Sequence, residues 1–116
     1  MQNGKKILRK KPPQQVGRMV ETVIGCKWSL TILDLVRQGV TRPGAMERSV
    51  EGLTAKVLAD CLRVHLRYGV LTKQSFPEVP PRVEYHFTDF GHQFVEILKS
   101  LENLEKKFLN LSAHKA

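Results

Sequence analysis

The chain has 116 residues, 41% hydrophobic and 26% charged, the balance of one globular domain able to bury a core without disulfides. Nineteen Lys and Arg against eleven Asp and Glu leave +8 and a pI near 9.8, which points to a polyanion such as nucleic acid as partner. No apolar run nears the roughly 18–20 residues of a membrane span, no signal-peptide stretch follows the basic N-terminus, and two cysteines are too few for a disulfide scaffold and lack metal-ligand spacing.

A cytoplasmic protein with reduced thiols is therefore expected, with no membrane association, metal or cofactor. P-loop, GxGxxG, HExxH, GxSxG and CxxC patterns are missing from the sequence. His65, His86, His92 and His114 show no base-and-orienter spacing beside a nucleophile, so an enzyme is not expected. The charge is unevenly placed: residues 1–26 carry +5, residues 27–82 carry +4, and residues 83–116 carry −1.

Residues 1–15 are polar, basic and broken by Pro12-Pro13. They lack the apolar content to fold alone and read as a flexible arm, either solvated or lying along phosphates. Val16 to Gln38 reads as helix with a break near Gly25, from Met19, Val20, Val23 and Ile24 and then Trp28, Ile32, Leu35 and Val36 at helical spacing. Trp28 is expected to anchor the core. Gly39 is placed to end the second segment in the left-handed conformation.

A short helix is expected from Pro43, tolerated in a first turn, to Ser49. Val50-Glu51-Gly52 makes a tight turn, and Thr54 caps a further helix that runs to about Tyr68 and stops at Gly69. Leu58, Cys61, Leu62 and Leu66 form its inner stripe, which leaves Thr54, Lys56, Ala59, Asp60, Arg63 and Arg67 outside. Short helix, glycine turn and basic second helix have the organisation of a helix-turn-helix. Val70–Phe76 and the alternating Arg82–Phe87 then read as a hairpin around a loop with three prolines. A helix-turn-helix followed by a hairpin is a winged helix, with Lys73 and Arg82 expected on the wing's outer half.

In the last segment Phe87, Phe90, Phe94, Ile97, Leu101, Leu104, Phe108 and Leu111 follow one another at alternating steps of three and four. That is the seam of paired helices. Thr88 is the expected N-cap and Asp89 suits the positive end of the dipole. Val95, Leu98 and Leu109 add a second strip, so the helix either folds back on its own core or takes a partner. The preferred reading is a homodimer through Met19, Val20, Val23, Phe94, Ile97, Leu98, Leu101, Leu104 and Phe108.

The assembled residues resemble the HxlR-type family of winged-helix transcriptional regulators, relatives of the MarR-like proteins. The carriers span roughly Gly25 to Gln93: Ile24-Gly25-Cys26-Lys27-Trp28 with Ile32-Leu33, Arg42, Gly52-Leu53-Thr54, Leu58 and Leu62, Gly69-Val70, Pro80-Pro81-Arg82-Val83-Glu84-Tyr85, and Thr88 with Gly91. The resemblance implies a prokaryotic, dimeric DNA-binding regulator without enzymatic activity. Three positions depart from the family. Pro43 stands where an aromatic usually follows Arg42, and His65 stands where Leu is common. No cysteine precedes Cys26, so the family's Cys-Pro sensing site is not carried over.

The expected architecture is α+β and mainly helical: a basic arm (1–15), a winged helix-turn-helix (16–87), and a C-terminal dimerisation helix (88–116) forming one compact domain with it. The expected function is regulation of transcription by binding double-stranded DNA, at a near-palindromic operator, as a homodimer. Thr54, Lys56 and Ala59 would lie near bases, Arg63 at base or phosphate, and Arg42, Lys73 and Arg82 at phosphates. The alternative is a dimeric winged-helix protein-interaction module without sequence-specific DNA binding. A redox or small-molecule signal is a further expectation. Cys26 beside Lys27, and Cys61, are the redox candidates, although both also have a plain structural reading.

Overall fold

A computed structural model describes residues 16–115; the basic arm expected at 1–15 lies outside the described residues. The elements are α1 (Val16–Gly25), α2 (Ser29–Arg37), α3 (Pro43–Ser49), α4 (Ala55–Arg67), β1 (Leu71–Phe76), β2 (Arg82–Phe87) and α5 (Asp89–Lys115). The order is that of a winged helix, with α3 and α4 as the helix-turn-helix and the antiparallel β1–β2 hairpin as its wing.

Local chemistry sets the boundaries. Two helices end in the same six-residue closure. The Val40 N–H reaches the Leu35 carbonyl at 2.9 Å and Gly39 N–H the Val36 carbonyl at 3.0 Å; Val70 N–H reaches the His65 carbonyl at 2.9 Å and Gly69 N–H the Leu66 carbonyl at 3.2 Å. This geometry needs a left-handed residue, and Gly39 and Gly69 supply it with φ of +94° and +72°. Because the Val70 N–H closes α4, it cannot enter the β ladder, and β1 starts at Leu71 rather than at Val70. Thr54 caps α4 by accepting the Val57 N–H at 3.2 Å, worth about 1 kcal/mol.

The core gathers Val23 from α1, Ile32, Leu33, Leu35 and Val36 from α2, Met46 from α3, Leu53 before α4, and Leu58, Cys61 and Leu62 from α4. It is completed by Val70, Leu71 and Tyr85 at the base of the wing and Phe94 and Leu98 from α5. Each large side chain removed from water here stabilises the fold by roughly 1.5–3 kcal/mol. Trp28 is half-buried against this core rather than enclosed. Its ring covers the α3–α4 turn, with a Cβ at Gly52 falling 3.8 Å from it.

Two buried positions differ from expectation. His65, not Leu66, completes the inner face of α4: it is fully buried while Leu66 is half-buried. His65 Nε2 meets the buried Ser29 hydroxyl at 3.1 Å, its Nδ1 has no partner, and burial pushes its pKa down to about 4. Cys26 and Cys61, expected as reduced thiols, are joined in a disulfide. The two are 35 residues apart and meet only when α4 packs beneath the α1–α2 link, so no local pattern announces the pairing.

Candidate nucleic-acid interface

The outward face of α4 carries Thr54, Lys56, Ala59, Asp60, Arg63 and Arg67, all exposed. The capping role of Thr54 fixes its hydroxyl at the N-terminus of α4, where it retains its own proton to donate. Lys56 and Arg63, four and three residues from Asp60, share a helix face with it. Lys56 Nζ donates to Asp60 Oδ2 at 3.1 Å, and Arg63 Nη1 donates to Oδ1 at 2.9 Å. The hydrogen bond from Lys56 and then that from Arg63 hold the Asp60 carboxyl below the usual carboxylate range. Asp60 thus orders the two main cations of this face, a role that spacing alone could have disclosed.

The wing stands beside α3, tied to the segment before it by the Tyr85 N–H, which donates to the Thr41 carbonyl at 2.8 Å. That bond places Arg42, at the N-terminus of α3, next to β2. The Arg42 Nε lies 3.9 Å from Glu84 Oε2, with most of the side chain still in solvent. Arg82 stands at the tip end of the ladder opposite Phe76, its guanidinium 3.8 Å above that ring. It donates to Glu84 at 2.5 Å and to Glu78 at 2.8 Å. Glu84 also meets His86 Nε2 at 2.9 Å. The hydrogen bond from His86, with the charge of Arg82, keeps the Glu84 carboxyl below its ordinary range.

Lys73 is exposed but is not on the outer half of the hairpin. It pairs with Tyr85, the third rung from the base and the fourth from the tip. Arg48, not singled out from the sequence, is exposed on α3 and shares with Arg42 and the wing loop an open groove of about 470 Å³. Nothing in the spacing of Arg42 and Arg48 signals this; the wing loop folding beside α3 brings them to one groove.

The long helix divides its apolar residues between two sides. Phe94 and Leu98 are buried in the core of their own protomer, as is Val23. These three correct the expected interface set, because all of them are enclosed in the chain's own hydrophobic core. The other stripe is open: Ile97, Leu101, Leu104, Phe108 and Leu111 are 49–64% exposed. Val20, Ile24 and Leu30 are also exposed, and Ile24 and Leu30 share a shallow groove with Leu101. The apolar surface therefore runs from α1 onto α5, and contiguous apolar patches of this kind mark interaction surfaces. Met19 lies in α1. Among the described residues no helix is long and apolar enough to cross a membrane.

Comparison with known proteins places these features in context. The family described as HxlR-like helix-turn-helix matches residues 23–113. The chain is 37% identical over 76 residues to the regulatory protein MalR of Fusobacterium mortiferum, covering 65% of this chain and 72% of that one. Alignments span 60–72% of the length of the curated relatives. Among solved structures, a transcriptional regulator of the MarR family from Enterococcus faecalis superposes with a TM-score of 0.75 at 32% identity, over 95% of this chain and 99% of that one. The regulator ytfH of Salmonella typhimurium gives 0.71 at 30% identity, over 88% and 91%.

Proposed function

The chain belongs to the HxlR-like helix-turn-helix family of transcriptional regulators, which are DNA-binding proteins and not enzymes, and on that premise we propose that it acts in the cytoplasm as a homodimer on a near-palindromic duplex operator. Residues 16–87 form the reading unit and residues 88–116 the dimer helix. The observation that carries the proposal is the division of the surface: a basic α4 face with neighbouring Arg42, Arg48 and wing, and a separate apolar strip on α1 and α5.

In this reading α4 enters the major groove with Thr54, Lys56 and Ala59 toward base edges and Arg63 at base or phosphate. Arg42, Arg48, Lys73 and Arg82 meet the sugar–phosphate backbone. The apolar strip pairs with its own copy through Val20, Ile97, Leu101, Leu104 and Phe108, with Met19 and Ile24 alongside. Two-fold symmetry then sets half-sites about one helical turn, roughly 10 bp, or a multiple apart.

Selection of bound fragments from a genomic library, followed by affinity measurement at two salt concentrations, tests the proposal. An inverted repeat is expected, with discrimination over random duplex that the double substitution Lys56→Ala, Arg63→Ala abolishes. Binding that shows no sequence preference and collapses with salt is the outcome expected of a protein-interaction module, and it overturns the operator reading.

A further inference from the structure

Val79 stands apart from the other exposed large apolar side chains. Among the described residues those lie on α1, α2 and α5, whereas Val79 is on the loop at the far end of the wing, fully exposed. A lone apolar side chain on a surface is ordinary; one held out into water by a locked loop is not. Pro77, Pro80 and Pro81 fix three backbone φ angles within five residues. The Glu78 N–H donates to the Phe76 carbonyl at 2.8 Å. The Arg82 guanidinium then closes the loop with two bonds, at 3.1 and 2.8 Å, to the same Glu78 oxygen, while stacked on the Phe76 ring. The tip is therefore built before anything binds it, and it offers Val79 with Pro80 and Pro81 beside it, all exposed.

The chemistry of this tip suits the floor of a groove rather than a phosphate. Its single charge, on Glu78, is negative and held by Arg82, and Pro80 and Pro81 have no N–H to donate. The cations stand behind it: Arg42, Arg48 and Arg82 line the groove that the loop shares with α3. β1 runs out from the buried Leu71 for six residues, which at about 3.3 Å per residue carries its outer end roughly 16 Å from the core. On a duplex whose major groove holds α4, the next groove, across one phosphate strand, is the minor groove, about 6 Å wide. The arginines then meet the strand, and the apolar tip comes over the minor groove.

We propose, on the footing of the DNA-binding reading, that Val79 is a specificity residue whose methyl groups enter the minor groove beside each half-site and select A·T over G·C pairs there. Guanine raises an exocyclic amino group from the floor of that groove, and an A·T pair has none. The amino group occupies the space the methyls take. Covering it with an apolar tip also strips it of water without supplying an acceptor. A·T-rich steps narrow the groove, so its sugar walls close on an inserted apolar side chain. The bases that α4 reads present their edges in the major groove, so the two selections act on different pairs.

The experiment uses the full chain and an operator duplex drawn from the genomic selection, changed at each pair flanking the bases read by α4, in both half-sites. At each pair A·T, G·C, inosine·C and diaminopurine·T are compared. Inosine·C keeps the major-groove edge of G·C but lacks the minor-groove amino group, and diaminopurine·T adds that group to A·T. At the pairs under the tip, A·T and inosine·C are expected to bind alike, and G·C and diaminopurine·T about tenfold more weakly. Val79→Ala, a change at a fully exposed position, should shrink this difference to less than about twofold, while the discrimination that depends on Lys56 and Arg63 persists. Inosine·C that binds as weakly as G·C overturns the proposal. So does an undiminished A·T preference in the Val79→Ala protein, which assigns the preference to duplex shape. Equal affinity for all four pairs at every flanking position, in a parent that still separates operator from random duplex, overturns the role of Val79 and leaves the operator reading standing. A parent with no operator preference overturns both.

Discussion

Gly91 lies so close to Val70 that a Cβ at position 91 would stand 2.0 Å from the Val70 carbonyl oxygen. This contact seats α5 at the exit of α4. Thr88 secures the same junction: its hydroxyl donates to the Gly69 carbonyl and accepts the Gly91 N–H at 2.9 Å. The basic helix and the long apolar helix are thereby fixed to one another through a single backbone crossing.

Substitution at this crossing should cost stability without touching either surface. Gly91→Ala forces the backbones apart, and a loss of about 2–4 kcal/mol is expected. Thr88→Ala removes the cap and should cost about 1 kcal/mol. Urea denaturation measures both; a Gly91→Ala protein as stable as the parent would show that the crossing is loose.

Asp60 restrains the cations of the outer α4 face. Asp60→Asn leaves the shape and removes the negative charge, so Lys56 and Arg63 become available to any phosphate. Affinity for random duplex should rise by about three- to tenfold, discrimination should fall, and the log–log salt slope should steepen by about one. Fluorescence polarisation with operator and scrambled duplexes at several salt concentrations reads all three, and an unchanged random-duplex affinity would count against the restraint.

The two stripes of α5 separate by mutation. Leu104→Glu and Phe108→Glu alter exposed positions and should raise the dimer dissociation constant by at least about 100-fold, equivalent to roughly 2.7 kcal/mol, while leaving a folded monomer. Leu98→Ala removes core volume and should cost about 2–5 kcal/mol of folding stability. Sedimentation beside thermal denaturation distinguishes them; a dimer that survives both glutamates places the contact elsewhere.

His65 makes stability depend on pH. Burial pushes its pKa from 6.5 down to about 4, so between those values the unfolded chain binds a proton that the folded chain refuses. The contribution is complete above about pH 6.5 and is lost progressively as pH falls toward 4, by roughly 2–3 kcal/mol. His65→Leu should flatten this part of the profile. Chemical denaturation at pH 4.5, 5.5 and 7 tests it, and a variant with the parent's slope would assign the dependence to other groups.

The legibility of these features in the sequence follows the range of the forces that make them. The Gly39 and Gly69 stops and the Thr54 and Thr88 caps are local, and their signals lie within a few residues of the geometry they cause. The alternating threes and fours of α5 announce a two-sided helix, but periodicity does not say which side meets the core. Phe94 and Leu98 are the ones that turn inward, in the helix whose start is seated by Gly91 against Val70. The pairing of Asp60 with Lys56 and Arg63 is legible in helical spacing alone, since the three lie four and three residues apart. The meeting of Cys26 with Cys61, and the enclosure of His65 beside Ser29, depend on how α4 lies under α2, which no short window contains.

Glu84 joins Arg42 and Arg82, with Glu78 sharing the latter, so this edge of the protein brings its own counterions. When a DNA phosphate takes over an arginine there, part of what it displaces is a carboxylate fixed to the protein rather than a free anion. Salt titration counts only the mobile ions released. The number of arginines touching the backbone will therefore exceed the number inferred from such a titration, and the shortfall measures how firmly the wing neutralises itself before DNA arrives.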